Sequence, residues 1–210
     1  MSTVLFIDGE NFRKKLKEAL LEKKLIKNDS EEPDWTKFDF KSLFDKVLEG
    51  FKVERKIFYF SKIVKHEDTV KKSEQLIQRQ RNLKNWVESK EQGFEVVIAG
   101  RVQGQYTKKA KNGFSLKAGK GGRVLVFTEK GVDVRIAVDI VSMICDGKLK
   151  EVILASSDSD LQPAIQEIDK RKKTCIYLGF ENSPNKGLSY TTDKTILIRN
   201  SEVVERYNKE

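Results

Sequence analysis

Residues 152–160 read V-I-L-A-S-S-D-S-D. The four apolar residues predict a short strand buried on both faces, because they run without alternation into turn-forming serines. Asp158 and Asp160 are expected just beyond the strand, since an unpaired carboxylate inside a core is costly. Ligands of open α/β sheets bind at the carboxyl ends of strands. This stretch therefore predicts both the fold class and the place of the site.

The rest of the chain alternates predicted strands and helices. Strands are expected at residues 3–7, 53–60, 94–99, 124–127, 174–178 and 194–198. Helices are expected between most of these strands, whereas residues 181–193 are predicted to form a loop. This alternation is typical of a three-layer α/β/α sandwich around a mostly parallel sheet. The 210 residues show no break in composition, so a single domain over residues 1–210 is predicted.

Composition narrows the classes of function. The chain has 41 Lys and Arg against 32 Asp and Glu, a net charge of +9, which favours a polyanionic partner. His66 is the only histidine and precedes two acidic residues at an expected helix start, so a histidine-based triad or a histidine-rich metal centre is almost excluded. Neither a membrane span nor a signal peptide is found. We therefore expect no contact with a membrane. Since the two cysteines have no C-x-x-C spacing, we also expect a reduced, cytoplasmic protein.

Further aspartates are expected at the same sheet edge. Asp8 follows the first strand, and Asp133 lies in the first turn of a helix predicted over residues 132–145. Two carboxylates about 4 Å apart repel by about 4 kcal/mol at an effective dielectric constant of 20. Bound Mg²⁺ or Mn²⁺ would relieve this repulsion, because both ions accept all-oxygen ligands. Such an ion supports phosphodiester hydrolysis without any histidine.

Each of these residues also has a structural interpretation. Asp8 could cap the first helix, and Asp160 could cap a helix predicted over residues 161–171, bind metal, or do both. Asp158 is not expected to act as a cap, because Ser159 or Asp160 would serve that position. Asn11, one turn beyond Asp8, is expected to orient water or phosphate through its amide.

Residues 101–123 differ in kind from the rest, with seven basic residues, five glycines and no acidic residue. This composition predicts a basic, glycine-containing hairpin or arm. Lysines neutralise phosphates and aromatic rings stack on bases, so the arm is expected to bind RNA, single-stranded by preference. A solvated surface loop is the alternative. The predicted nucleic-acid contacts are Arg101, Lys108, Lys109, Lys111, Lys120, Arg123 and, just beyond the arm, Lys130.

Three segments together resemble the NYN domain family, LabA-like, within the PIN-like nuclease superfamily. They are F-I-D-G-E-N at residues 6–11, E-K-G-V-D-V-R-I-A-V-D at 129–139 and S-S-D-S-D-L-Q-P at 156–163. The resemblance implies a PIN-like α/β/α fold and a metal-dependent ribonuclease site. An RNA-binding adaptor with a weak or inactive site is the alternative. The oligomeric state is left open.

The resemblance also assigns roles to individual residues. The positions that it implies for catalysis are Asp8, Asn11, Asp133 and Asp158. The metal ligands that it implies are Asp8, Asp133, Asp158 and Asp160. Asp139 corresponds to a further aspartate of the family, and we expect it, like Ser156, to support the site.

Overall fold

The computed structural model describes residues 2–29, 31–65, 67–107, 114–118 and 124–207. Within them, eight strands form one sheet: β1 (Ser2–Asp8), β2 (Arg55–Ile63), β3 (Glu95–Thr107), β4 (Phe114–Ala118), β5 (Val124–Lys130), β6 (Leu149–Ala155), β7 (Thr174–Phe180) and β8 (Lys194–Ile198). Their order across the sheet is β4-β5-β3-β2-β1-β6-β7-β8. All neighbours from β3 to β8 run parallel, whereas β5 is antiparallel to β3 and β4. The predicted mostly parallel sheet is confirmed.

Helices cover both faces of this sheet. The described helices are α1 (Gly9–Glu22), α2 (Phe40–Val47), α3 (Val70–Val87), α4 (Val132–Cys145), α5 (Gln162–Lys170), α6 (Lys186–Thr191) and α7 (Asn200–Val204). One apolar cluster joins the sheet to α1, α2, α3 and α7, and a second joins it to α4, α5 and α6. The predicted three-layer α/β/α architecture follows from these two clusters. No helix in the described part of the chain is long and apolar enough to cross a membrane.

The central strand β1 is buried on both of its faces. Leu5 and Ile7 pack into the cluster with α1, whereas Val4 and Phe6 pack into the cluster with α4. All four side chains are fully buried. Burying each of them contributes about 1.5–3 kcal/mol, and no position on either face is left for a polar side chain. The first polar side chain after this run therefore emerges at the carboxyl end of the strand.

Gly9 allows α1 to begin immediately after β1. A Cβ atom at this position would overlap the Phe60 ring and lie 2.7 Å from the carbonyl oxygen of Tyr59. Any larger residue would push the start of α1 away from β2. The glycine thus fixes the preceding residue, Asp8, at the sheet edge in register with Tyr59.

The first part of the predicted arm is strand. Residues 101–107 continue β3 and pair with residues 124–130 of β5, and residues 114–118 form β4. Residues 108–113 and 119–123 lie outside the described residues. Five of the predicted nucleic-acid contacts fall there: Lys108, Lys109, Lys111, Lys120 and Arg123.

Candidate active site

Asp8 is a buried carboxylate at the end of the central strand, with 7% of its surface exposed. Its Oδ1 accepts a hydrogen bond from the Asn11 backbone N–H at 3.2 Å, and its Oδ2 accepts one from the Ser156 hydroxyl at 3.2 Å. Burial raises the pKa of Asp8 to about 6 against these two bonds, and the charges of Asp158 and Glu10 add to the rise. Asp8 does cap α1, yet its carboxylate also faces neighbouring carboxylates.

The segment after β6 is held in place by hydrogen bonds between Ser157 and two asparagines. Asn11 Oδ1 accepts from the Ser157 backbone N–H at 3.0 Å and from the Ser157 hydroxyl at 2.9 Å. Asn185 Nδ2 donates to the Ser157 carbonyl oxygen at 2.9 Å. The amide oxygen of Asn11 is therefore engaged with protein. Its Nδ2, which has no hydrogen-bond partner among the described residues, is left for the expected contact with water or phosphate.

Asp158, which is not expected to be a cap, caps a short helical turn, whereas Asp160, the predicted cap, does not. A 3₁₀ turn, Ser159–Leu161, stands between β6 and α5, and Asp158 caps it by accepting from the Asp160 backbone N–H at 2.9 Å. The prediction that Asp160 caps the helix is wrong, because the inserted turn moves the cap position two residues earlier. Asp160 is exposed, and its carboxylate makes no hydrogen bond or ion pair within the described residues.

Glu129 is a site residue that the sequence reasoning missed. It lies at the end of β5, half-buried, and its Oε1 is buried without a hydrogen-bond partner among the described residues. Burial, followed by the charges of Glu10 and Asp8, raises its pKa to about 8, and Asp133 contributes to the same rise. The charge of Glu129 thus interacts with those of Asp8 and Glu10 on one side and of Asp133 on the other. These four carboxylates and Asp158 are called the acidic cluster below. Glu129 lies four residues before Asp133 in the E-K-G-V-D segment, and this position is the signal in the sequence that could have identified it as a site residue.

Arg13 brings a positive charge to this acidic cluster. Its guanidinium forms an ion pair with Glu10 one turn earlier on α1 and lies 5.5 Å from the centroid of the Phe60 ring. It opposes the rise in the pKa of Glu129. Its Nε is buried and has no partner within the described residues. Arg13 therefore compensates part of the negative charge and retains an unused donor.

Asp139 connects α4 to β2 through its hydrogen bond with Tyr59. Its Oδ2 accepts from the Tyr59 hydroxyl at 3.0 Å, and its Oδ1 pairs with Arg135 Nε at 2.8 Å. Burial, together with the charge of Asp139, raises the pKa of Tyr59. Because Tyr59 is in register with Asp8, this bond fixes the helix that carries Asp133 against the strand beside the site.

The donor set fits a hydrated divalent cation. No group of three His, Cys, Asp or Glu side chains within residues 2–29, 31–65, 67–107, 114–118 and 124–207 lies close enough together to hold an ion. Mg²⁺, however, is usually held by one or two carboxylates together with waters and phosphates. The oxygens at hand are those of Asp8 and Asp158, with the unpartnered Oε1 of Glu129 nearby. These oxygens suit Mg²⁺ or Mn²⁺ rather than a softer ion.

Fold and site define an α/β/α domain whose carboxylates meet at the carboxyl edge of a mostly parallel sheet. The family model described as NYN domain matches residues 2–199. The chain belongs to this family, which is part of the PIN-like nuclease superfamily. The predicted family is thus confirmed, whereas the LabA-like subtype stays a prediction. Nucleases of this group generally depend on divalent metal ions.

Similarity to solved structures and to curated proteins adds no functional information. A solved structure of a protein of unknown function from Vibrio parahaemolyticus is similar at 18% identity and a TM-score of 0.49, covering 93% of this chain and 91% of that one. No functional conclusion follows from this likeness. No curated protein matches the chain.

Proposed function

We propose that this protein is a divalent-metal-dependent ribonuclease that hydrolyses RNA phosphodiester bonds at the carboxyl edge of its sheet. The observation that carries the proposal is the buried Asp8, whose ionisation is opposed by Asp158 and Glu10. Carboxylates held together in this way favour a bound cation, which would remove their mutual repulsion. Membership of the NYN family supports a nuclease in general.

In this proposal Asp8 and Asp158 bind the ion directly, whereas Asp133 and the exposed Asp160 contact it through its bound waters. A bound Mg²⁺ or Mn²⁺ supplies a water of lowered pKa and a positive charge for the phosphate. Asn11 and Ser156 keep Asp8 and the segment after β6 together through their hydrogen bonds. Asn11 also offers its free Nδ2 to the phosphate or the attacking water.

The proposed substrate is single-stranded RNA, acted on in the cytoplasm. Arg101 and Lys130, the two described members of the predicted contact set, are exposed and lie opposite each other on β3 and β5. The net charge of +9 agrees with a polyanionic substrate. Cys145 and Cys175 are both free, which agrees with a reducing compartment.

Incubation of labelled single-stranded RNA with Mn²⁺ or Mg²⁺ tests the proposal. Asp8→Asn and Asp158→Asn are expected to lower the cleavage rate at least about 100-fold, and a chelator is expected to abolish cleavage. Asp169→Asn makes the same chemical change at an exposed carboxylate on α5 and should cleave like the wild type. Equal cleavage by all four proteins would identify a contaminating nuclease and refute the proposal.

An RNA-binding adaptor with a weak or inactive site is the second candidate. It is favoured by the lack of a three-carboxylate group in the part of the chain that the structure describes, and by Arg13, which already pairs with Glu10. Salt-sensitive RNA binding without cleavage in any divalent metal would favour the adaptor over the nuclease.

A further inference from the structure

We propose that Lys62, Arg101 and Lys130 form one continuous row of cations that binds consecutive phosphates of a single-stranded nucleic acid beside the carboxylates. The row's identification with RNA rests on the proposed function. The binding itself does not require cleavage. Lys62, on β2, belongs to none of the segments that the sequence singles out.

Strand pairing places the three side chains side by side. Lys62 is in register with Arg101 across β2 and β3, and Arg101 is in register with Lys130 across β3 and β5. Residues in register on neighbouring strands project from the same face of a sheet. Since adjacent strands are about 4.8 Å apart, the row spans about 10 Å. That length suits neighbouring phosphates along one strand of nucleic acid.

A β-bulge in β3 is what brings Arg101 into this row. Phe60 pairs with Ile98, but the next pair is Lys62 with Arg101, so β3 contains one extra residue between the two pairs. Without the bulge, Gly100 would oppose Lys62 and Arg101 would project from the other face.

Gly100 is suited to this bulge by its backbone. Its φ is +67°, and a Cβ at this position would overlap the carbonyl oxygen of Lys130. The close approach of Gly100 to Lys130 also ties the bulge to the strand that supplies the third cation. The local backbone therefore sets the alignment of the row.

The charges of the row are not compensated by any residue that the structure describes. All three side chains are exposed, and none forms an ion pair within the described residues. Like charges directly opposite each other destabilise a sheet, so three of them in register oppose strand pairing. A partner with regularly repeated negative charges would remove that repulsion. A single-stranded nucleic acid has this charge pattern and is flexible enough to follow the row.

The row borders the acidic cluster without neutralising it. Lys130 follows Glu129, and because side chains alternate along a strand, the two project from opposite faces of β5. Lys62 lies three residues beyond Tyr59, the register partner of Asp8. Three positions along a strand also reverse the face, so the row projects away from the carboxylates and its cations stay available for phosphates.

Fluorescence anisotropy with a labelled oligouridylate of about 20 nucleotides, in the presence of a chelator, tests the row without cleavage. Lys62→Gln, Arg101→Gln and Lys130→Gln are each expected to weaken binding about threefold, and the triple variant more than tenfold. The slope of log K against log salt should fall by about 0.7 for each cation removed. Lys150→Gln, an exposed lysine at the start of β6 without an ion pair in the described residues, is the matched control.

Charge-conserving variants and a DNA probe make the result decisive. Lys62→Arg and Arg101→Lys keep the charge and should bind like the wild type, which separates loss of charge from misfolding. Single-stranded DNA of the same length should lose affinity in parallel, because phosphate contacts do not read the 2′-hydroxyl. If the triple variant, or Lys62→Gln alone, bound RNA like the wild type, the proposal that the row binds phosphates would be refuted. Wild-type binding through the row, with no cleavage when Mn²⁺ or Mg²⁺ is then added, would refute only the nuclease.

Discussion

The Ser156 hydroxyl donates a hydrogen bond to the Asp8 carboxylate at 3.2 Å and so joins the ends of the neighbouring parallel strands β1 and β6. The same hydroxyl accepts a hydrogen bond from the Asp158 backbone N–H at 3.1 Å. One buried serine therefore sets where Asp158 lies relative to Asp8.

Ser156→Ala is expected to lower the free energy of unfolding by about 1–3 kcal/mol, because the Asp158 N–H loses its partner. It also removes a hydrogen bond that lowers the pKa of Asp8. The pKa of Asp8 should then rise above about 6, and the pH profile of Mn²⁺-dependent cleavage should shift to higher pH. Urea denaturation and pH–rate profiles measure the two effects. Ser159→Ala, at an exposed position without a side-chain hydrogen bond in the described residues, should change neither.

Glu129→Gln is expected to stabilise the metal-free protein at alkaline pH. The pKa of Glu129 is raised from 4.5 to about 8 by burial and by the charges of Glu10, Asp8 and Asp133, with Arg13 opposing the rise. The folded chain therefore binds more protons than the unfolded chain between these values, and stability is lost as pH rises through this window.

The gain from Glu129→Gln should be on the order of 2 kcal/mol at pH about 8.5 and near zero at pH about 4.5. Thermal melting in a chelator at both pH values measures it. Glu91→Gln, at an exposed position, serves as the control. Identical melting of Glu129→Gln and the wild type at both pH values would contradict the assigned burial of this carboxylate.

Asp139→Asn is expected to separate a positioning role from metal ligation. The amide oxygen of Asn still accepts from the Tyr59 hydroxyl, although the ion pair with Arg135 is lost. Stability should therefore fall by about 1 kcal/mol or less, and cleavage should stay within about threefold of the wild type. Asp133→Asn should lose at least about 100-fold in cleavage and weaken Mn²⁺ binding measured by calorimetry. Equal losses from both variants would make Asp139 a ligand.

Gly9→Ala is expected to destabilise the fold by about 1–3 kcal/mol, because the added methyl group overlaps the Phe60 ring and lies against the Tyr59 carbonyl oxygen. The resulting shift of α1 should also displace Asp8 and lower cleavage. Gly187→Ala on α6 meets only side-chain atoms, the nearest being the Gln162 amide nitrogen at 3.0 Å, and should cost less. Urea denaturation compares the two variants, and equal costs would show that the packing around Gly9 is loose.

The fold class follows from local sequence at β1 and β6. Each contains an uninterrupted apolar run of the kind that a strand buried on both faces requires. β1 ends in Asp8, and Asp158 follows the last residue of β6 by three positions. These two runs are therefore enough to place Asp8 and Asp158 at one edge of the sheet. The prediction of a loop over residues 181–193 is wrong, because the segment contains the helix α6. Asn185 caps this helix by accepting from the Leu188 N–H at 3.0 Å. A six-residue helix is too short to show a helical period.

The remaining site residues depend on pairing between distant parts of the chain. The burial of Glu129 arises only when β5 lies beside β3, and nothing in residues 124–130 by themselves shows which face meets Asp8. Lys62 and Lys130 come to lie in one row, on either side of Arg101, through two strand pairings and a bulge. The cap at Asp158 depends on a 3₁₀ turn that a helical pattern beginning at residue 161 does not reveal.

The strand order also has a consequence for synthesis on the ribosome. Asp8 is made early, but its neighbours Ser156 and Asp158 follow β6, which pairs directly with β1. Asp8 therefore has neither partner until β6 and the segment after it have been translated. A nascent chain that ends before β6 lacks the assembled carboxylates, so the site forms only after two distant parts of the chain have paired.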